Sequence, residues 1–188
     1  MLFPEGVAID GQSGAVSPAT GRYTKRLSEL RGFYQDGAAL ERAVAADGDP
    51  VAYEVIEYRK AESDLAFGTT IMWPGRVGRE FFMTRGHLHL RRECGETYYT
   101  QSGEGVLLLD SRDGETRAIE MRPGICAFIP PDWAHRSINT GSDKLVFVWF
   151  CQTDAGHDYG QIKTHGMRKL VVADKGGHAL ADNPNFTA

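Results

Sequence analysis

The sequence predicts an all-β fold, an antiparallel sandwich or barrel that follows an N-terminal arm. Short β-rich runs recur at intervals of roughly ten residues after Pro50, and turn-forming residues such as Gly, Pro and Asp separate them. One clear helical pattern precedes these runs. A length of 188 residues suits a single domain with a sizeable core.

The N-terminal part is predicted to contain an arm and a helix. Residues 1 to about 22 are rich in Gly, Ser and Pro and predict an extended arm with one short strand. Residues 27–32 suit a single helical turn. Asp36 is a suitable N-cap for a helix that runs to about Asp47, because alanines dominate this run and Pro50 follows it.

The β-rich runs follow in order along the rest of the chain. They predict strands at 51–58, 65–73, 80–84, 96–101, 104–110, 115–121, 125–130, 134–139, 145–152 and 170–173, with a polar tail after the last. His165 and His178 are expected in surface loops. We therefore assign residues 1–50 to an arm and helix and residues 51–188 to the barrel, within one structural domain.

Charge, apolar runs and cysteine count indicate which partners and which cellular location to expect. A formal net charge of −4 does not favour nucleic acid or an anionic membrane as partner. The chain has no apolar run of about eighteen residues and no secretory leader, so we expect a cytoplasmic protein with no membrane segment. Cys94, Cys126 and Cys151 are odd in number and lack CxxC spacing, which suits reduced thiols in the cytosol.

The residues between 84 and 98 are expected to form a metal site. His87 and His89 lie two residues apart after an apolar run and, on a strand, would project side by side. Glu96 begins the next β-rich run, and a hairpin between the two runs would bring its carboxylate over the same face. His135, which follows a Pro-Pro turn, is the candidate fourth ligand.

This set of side chains predicts one divalent metal ion as the cofactor. Three imidazoles and one carboxylate suit Fe²⁺, Mn²⁺, Ni²⁺, Zn²⁺ or Cu²⁺, and the softness of the ligands does not choose among them. We expect Fe²⁺ as the resident ion, with Mn²⁺, Ni²⁺ or Zn²⁺ as the alternatives.

Two short motifs resemble those of the cupin superfamily, whose members are jelly-roll barrels with a metal held inside. The second motif is matched by Gly124, Pro130, His135 and Asn139. It departs at Asp132, where a glycine is usual. The first motif departs more, because Glu96 lies seven residues after His89 instead of four or five.

The looser spacing resembles one branch of that superfamily, the cupin-type phosphoglucose isomerases of archaea and some bacteria. The matching sets cover nearly the whole chain and include Thr84-Arg85-Gly86-His87-x-His89, Glu96-x-Tyr98, Pro130-Pro131-x-Trp133-Ala134-His135-Arg136 and Asp154-Ala155-Gly156-His157-Asp158-Tyr159-Gly160. The resemblance implies a cupin jelly-roll β-barrel with an N-terminal arm and one or two short helices.

The resemblance also implies an activity and its partners. It implies an aldose-ketose isomerase that interconverts glucose 6-phosphate and fructose 6-phosphate, a step of glycolysis and gluconeogenesis. The implied metal ligands are His87, His89, Glu96 and His135. The implied partners are a hexose phosphate and a second copy of the chain, since the family and the long N-terminal arm both suggest a homodimer.

Three residues receive catalytic roles from the resemblance. The hydrogen would move either as a proton through a cis-enediol or as a hydride in a direct shift promoted by the metal. For the first route Glu96 is the family's candidate base, although a bound cation makes a carboxylate a poor base unless substrate displaces it or one oxygen stays free. Tyr98, one strand step away, would hold a substrate oxygen or relay a proton. His157, in a glycine-flanked loop with Tyr159, suits sugar binding or ring opening. Relatives tend to carry a Tyr at the position of Cys151, so this chain lacks a hydroxyl there.

The phosphate of the substrate requires hydrogen-bond donors, and the residues just before the histidine pair supply them. Arg85 offers a forked guanidinium, and Gly86 lets the backbone approach an anion closely. Thr84 directly precedes Arg85. Thr70 and Tyr53, on neighbouring predicted strands, would add hydroxyl groups.

Two other functions fit the metal motif. A cupin dioxygenase would hold iron with the same ligands, but it predicts an apolar pocket, against which Arg85, Thr84 and Thr70 argue. A non-catalytic sugar-phosphate-binding cupin would bind the ligand without turnover and would tolerate loss of Glu96. The isomerase is the leading hypothesis.

Overall fold

The structure is a computed structural model that describes residues 2–46 and 48–187. The strands are β1 (Ala8–Ile9), β2 (Val16–Ser17), β3 (Gly21–Arg26), β4 (Val51–Tyr58), β5 (Leu65–Met72), β6 (Arg76–Val77), β7 (Glu80–Phe81), β8 (Glu96–Ser102), β9 (Gly105–Ser111), β10 (Thr116–Met121), β11 (Cys126–Ile129), β12 (Trp133–Asn139), β13 (Leu145–Gln152), β14 (Lys169–Asp174) and β15 (Gly177–Asp182). The helices are α1 (Gly37–Ala46) and α2 (Gly160–His165), and a 3₁₀ turn spans Leu27–Leu30. The predicted all-β fold is confirmed.

The larger wall of the molecule is a six-stranded antiparallel sheet in the order β11-β8-β13-β5-β4-β3. β13 lies at its centre and is buried along most of its length, since its β-branched and aromatic residues pack on both faces. The inner face contributes Phe147 and Tyr98 to the main core. On the outer face, Val16 of the β1–β2 hairpin packs against Ile71 and Val146.

The opposite wall combines two smaller sheets. One has the order β10-β9-β12 and the other the order β15-β14-β7-β6. The chain after β7 joins them because it runs antiparallel beside β12: the Asn139 amide donates to the Phe82 carbonyl (3.0 Å), and the Thr84 amide donates to the Ser137 carbonyl (2.9 Å). The two walls enclose the core as in a jelly roll.

The N-terminal helix begins as predicted. The Asp36 carboxylate accepts a hydrogen bond from the Ala39 amide at 2.8 Å and so caps α1. The predicted last residue, Asp47, lies outside the described residues. The helical turn expected at residues 27–32 is the 3₁₀ turn, whose Leu27 and Leu30 are fully buried.

Several local predictions were wrong. The arm holds two short strands instead of one, and β3 extends the main sheet by pairing with β4. The predicted polar tail contains β15, so His178 lies on a strand, and His165 ends α2. β15 pairs with β14 through a two-residue turn at Lys175 and Gly176, which both have positive φ (42° and 84°), as such turns require.

The length and polarity of the two helices were also compared with those of membrane-spanning helices. Neither α-helix within the described residues is long and apolar enough to cross a membrane.

Candidate metal and substrate site

The segment that carries His87 and His89 is extended but is not a regular strand. The predicted strand 80–84 ends at Phe81, and beyond it the chain makes isolated bridges. His87 exchanges two backbone hydrogen bonds with His135, at 3.1 and 3.0 Å. This pairing places the two imidazoles side by side, with ring centroids 4.3 Å apart.

The predicted hairpin between residues 80–84 and 96–101 does not form. β8 pairs with β11 and β13 in the six-stranded sheet, so Glu96 reaches the site from the opposite wall. Residues 90–95 carry the chain from one wall to the other, and a turn closed by the Cys94 amide and the Arg91 carbonyl (3.1 Å) lies within them. The His and Glu side chains converge as expected. They do so because the two walls of the fold face each other, and not because the two segments form a hairpin.

Four side chains meet where the walls face each other. The ligand atoms of His87, His89, Glu96 and His135 lie within 4.8 Å of one another. Glu96 Oε2 is 3.0 Å from Nε2 of His135, 3.3 Å from that of His89 and 3.9 Å from that of His87. The same carboxylate oxygen makes all three contacts.

The residues fit a metal ion in their hydrogen bonding as well as in their chemistry. The ring Nδ1 of His89 lies 3.0 Å from the Cys94 carbonyl, and that of His135 lies 3.0 Å from the Trp133 carbonyl. A backbone carbonyl can only accept, so each Nδ1 is the protonated donor, and each Nε2 faces the centre, where it can ligate a cation once it has lost its proton. The buried Nε2 of His87 has no hydrogen-bond partner among the described residues, as expected for an atom that ligates a cation.

The electrostatics of the cluster favour cation binding. Burial alone would raise the pKa of the Glu96 carboxyl, but hydrogen bonds and positive charge from the His135 and His89 rings outweigh it and hold the pKa at about 2. Burial alone would lower the pKa of His89, but its hydrogen bond to Glu96 outweighs it and raises that pKa, and a bound cation would take the place of the proton. Burial, together with the neighbouring imidazoles, places the pKa of His87 well below its ordinary value. An ionised carboxylate and a neutral imidazole are the forms that bind a metal.

A cavity opens beside this cluster and is lined by the predicted substrate residues. The lining includes Tyr53, Thr70, Thr84, Arg85, Gly86, Tyr98, His157 and Tyr159, together with His87 and Glu96. The structure therefore brings all of the predicted catalytic and substrate-binding residues to one place. Tyr98 is buried with its ring centroid 5.8 Å from that of His135, and burial raises its pKa well above the ordinary value, so its hydroxyl stays protonated.

The predicted phosphate donors form one edge of the cavity. Arg85 lies between two aromatic rings, 5.8 Å from the centroids of Phe33 and Tyr159, and donates to the Glu29 carbonyl at 3.1 Å. Gly86 has a φ of 72°, a conformation that favours glycine. Two residues before it, the Thr84 hydroxyl oxygen accepts a hydrogen bond from the Ser137 amide at 3.1 Å.

The glycine-flanked loop closes another side of the cavity. The His157 ring lies 4.1 Å from that of His87 by centroid, and its Nδ1 is hydrogen bonded to the Tyr159 hydroxyl at 3.1 Å. The loop is tied to the histidine segment by two backbone hydrogen bonds between Leu88 and Asp158, at 3.1 and 2.7 Å. His157 therefore lies beside the candidate metal ligands.

Six further residues line the cavity and were not predicted as site residues: Tyr23, Val55, Glu57, Arg59, Phe147 and Trp149. Tyr23 was missed because β3 was not predicted. The others recur at every second residue, from Tyr53 on β4 to Arg59 just after it and along β13 from Phe147, and this two-residue period is the signal that could have found them. Cys151 also lines the cavity, directly across the sheet from Glu96.

Known proteins of one family match this chain along almost its full length. A family model described as Glucose-6-phosphate isomerase (GPI) matches residues 24–186. The chain is 44% identical to the glucose-6-phosphate isomerase of Thermococcus litoralis, covering 97% of this chain and 96% of that one. It is 43% identical to that of Thermococcus gammatolerans (98% and 97%) and 44% identical to a putative glucose-6-phosphate isomerase 1 of Rhizobium meliloti (99% and 89%).

Solved structures support the predicted fold. A structure of oxalate oxidase in complex with the substrate analogue glycolate aligns with a TM-score of 0.51 at 17% identity, covering 61% of this chain and 58% of that one. At that identity the likeness concerns the architecture, and it supports the predicted cupin jelly roll. From the match across residues 24–186 and the high identity of its relatives, the chain belongs to the glucose-6-phosphate isomerase family.

Proposed function

We propose that this protein interconverts glucose 6-phosphate and fructose 6-phosphate with one divalent metal ion held by His87, His89, Glu96 and His135. The observation that carries the proposal is the convergence of these four side chains beside a cavity lined with hydroxyl and guanidinium donors. Membership of the isomerase family supports the reaction. We propose Fe²⁺ as the resident ion, with Mn²⁺, Ni²⁺ or Zn²⁺ as alternatives.

The reaction moves a hydrogen between C1 and C2 of the open-chain sugar. A bound divalent ion supplies a Lewis acid that polarises the carbonyl group and stabilises the negative charge that develops on oxygen. The protein supplies the base. Glu96 uses Oε2 for its contacts with the three imidazoles, so Oε1 is the oxygen that would take the proton from one carbon and return it to the other.

Two neighbours would assist the proton transfer. Tyr98 is protonated and buried beside the cluster, so its hydroxyl can donate to a substrate oxygen as charge builds there. His157 is paired with Tyr159 at the cavity wall and would donate the proton that the ring oxygen takes up when the sugar ring opens and the anomeric hydroxyl loses its own proton. Both residues lie within reach of a sugar bound next to Glu96.

The phosphate end is assigned to the edge formed by residues 84–86. Arg85 and the Gly86 amide would bind the phosphate dianion, with hydroxyl groups from Thr84, Thr70 and Tyr53. Tyr159 would cover this end, since its ring lies against the Arg85 guanidinium. Fixing the phosphate orients C1 and C2 toward the metal ligands.

We also propose that the protein acts as a homodimer in the cytoplasm. Large apolar side chains are exposed on the outer face of the six-stranded sheet, among them Phe128 (68% exposed), Leu65 (53%), Tyr99 (42%) and Phe150 (40%). A patch of this kind suits association with a second copy. The cysteines at 94, 126 and 151 are all free thiols, which suits a reducing compartment.

The test is a metal-reconstitution assay. The purified protein is stripped with a chelator, reloaded with Fe²⁺, Mn²⁺, Ni²⁺ or Zn²⁺ one at a time, and assayed for conversion of fructose 6-phosphate to glucose 6-phosphate in D₂O. We expect no turnover without metal, recovery with at least one ion, and deuterium at C2 of the glucose 6-phosphate product as the mark of a base. Full metal loading without turnover by any ion would contradict the proposal.

A further inference from the structure

A buried arginine contacts the backbone of the phosphate-binding edge from behind. Arg136 follows His135 on β12 and is only 3% exposed. Its Nε and Nη2 donate to the Arg85 carbonyl, at 3.2 and 2.7 Å. Glu80 is also buried, and the two residues line the same small cavity, so a carboxylate lies near the guanidinium charge.

The direction of that carbonyl fixes the direction of the next amide. In a trans peptide the C=O of one residue and the N–H of the next point in opposite directions. Because the Arg85 carbonyl points at Arg136, the Gly86 N–H points away from it. Gly86 lines the substrate cavity, and within the described residues its amide has no hydrogen-bond acceptor.

The neighbours of Gly86 leave little space beside its Cα atom. A Cβ at position 86 would lie 3.0 Å from the His135 carbonyl oxygen and 3.1 Å from Cβ of Arg136. The backbone pair between His87 and His135 holds the following residue. The segment is thus held by strand pairing at residue 87 and by the guanidinium fork at residue 85.

We infer that Arg136 is a positioning residue, which holds the Arg85–Gly86 peptide so that the Gly86 amide faces the substrate phosphate. The inference rests on the proposed function, since it concerns the phosphate end of that site. The fork of an arginine can give two hydrogen bonds to one carbonyl, whereas a lysine at the same place gives one. Arg136 would therefore affect phosphate binding without touching the substrate.

The test compares Arg136→Met and Arg136→Lys with the wild type and with a control, Arg117→Met. Arg117 is 63% exposed and pairs with Glu115 on the surface. We expect Arg136→Met to raise KM for fructose 6-phosphate about 10- to 100-fold, as loss of charge-assisted hydrogen bonds would, while kcat changes less than about threefold. Arg136→Lys should lie between, and Arg117→Met should match the wild type.

Inorganic phosphate supplies a readout that a merely structural role would not move. Its binding to each metal-loaded, folded variant is measured by calorimetry and by competitive inhibition. We expect its affinity to weaken by a factor similar to the rise in KM, with metal content unchanged. If phosphate affinity and KM are unchanged in folded Arg136→Lys and Arg136→Met, the inference is overturned. Phosphate calorimetry needs no turnover, so it tests Arg136 even if the wild type lacks isomerase activity.

Discussion

Glu96 and Tyr98 lie on a strand with hydrogen-bonded neighbours on both sides, whereas His87 and His89 lie on a segment with only isolated bridges. The two walls of the candidate site are therefore held by different means. In the six-stranded sheet the backbone is fixed by continuous ladders. In the histidine segment it is fixed by a few contacts, chiefly with His135 and Arg136.

Because of this difference, the two walls should respond differently to substitution. A side chain on the sheet can be changed without moving its backbone, because the ladder remains. On the histidine segment the backbone itself is part of the site, since the Gly86 amide faces the cavity. Substitutions on the sheet should change chemistry alone, and substitutions on the segment should change geometry and binding as well.

The largest effect is expected on the sheet wall, from Glu96→Gln. The amide keeps the shape of the side chain but cannot act as a base, so we expect kcat to fall by about 10³-fold or more while part of the metal remains bound. Thermal unfolding should change little, because β8 keeps both partner strands. Turnover and metal content are measured on the same reconstituted sample.

A control separates loss of the base from loss of the metal. His89→Gln removes one imidazole from the same cluster and should lower metal content and turnover together. A metal-replete Glu96→Gln variant with full activity would end the assignment of Glu96 as base. The sheet wall would then supply only a ligand.

An intermediate effect is expected on the segment wall, from Gly86→Ala. The added Cβ meets the His135 carbonyl at 3.0 Å at a φ of 72°, so the peptide must shift. We expect KM for fructose 6-phosphate to rise about tenfold or more and stability to fall by about 1–2 kcal/mol. Steady-state kinetics and thermal unfolding report the two effects.

Gly124→Ala is the matched control for that variant. Gly124 also has a positive φ (90°), but a Cβ there would have no atom within 4 Å. The backbone cost should be similar, and KM should stay at the wild-type value. Equal kinetics for the two alanine variants would show that the backbone at residue 86 does not contribute to binding.

The fold was predictable because its signals are local. Residues such as those of β13 form a β-rich run between turn signals, and Asp36 marks the start of α1 through its own side chain. β15 was missed because its residues are largely exposed and show no apolar pattern, so pairing with β14 decides its conformation. Tertiary context overrides propensity in such cases.

The sequence was enough to predict which residues form the site, but not how the fold brings them together. His87, His89, Glu96 and His135 do converge, and the predicted substrate residues line one cavity. The prediction of a hairpin was wrong because neither the spacing nor the periodicity of the residues indicates which sheet a strand joins. Contacts such as that of Arg136 with the Arg85 carbonyl join residues 51 positions apart, a separation at which a local pattern carries no signal.

The smallest effect is expected at Asp132, in the turn just before β12. Its φ of 64° explains why glycine is usual at this position, and aspartate tolerates the conformation better than most residues. The carboxylate accepts hydrogen bonds from Arg92 (2.8 and 2.7 Å) and Arg112 (2.9 Å), and these cations, Arg92 first, lower its pKa to about 2.

The sign of the pH dependence follows from that lowered pKa. A depressed carboxyl pKa means that the ion pairs stabilise the fold above about pH 4, the unfolded pKa, and lose this effect as the pH falls toward 2. Since Asp132 is partly exposed, we expect Asp132→Asn to lower Tm by no more than about 3 °C at pH 7, with unchanged kcat. The difference should shrink on acidification, and a difference that grows would contradict the assignment. Asp132→Gly removes the same charge and also relieves the backbone, so a Tm above that of Asp132→Asn would separate the two contributions.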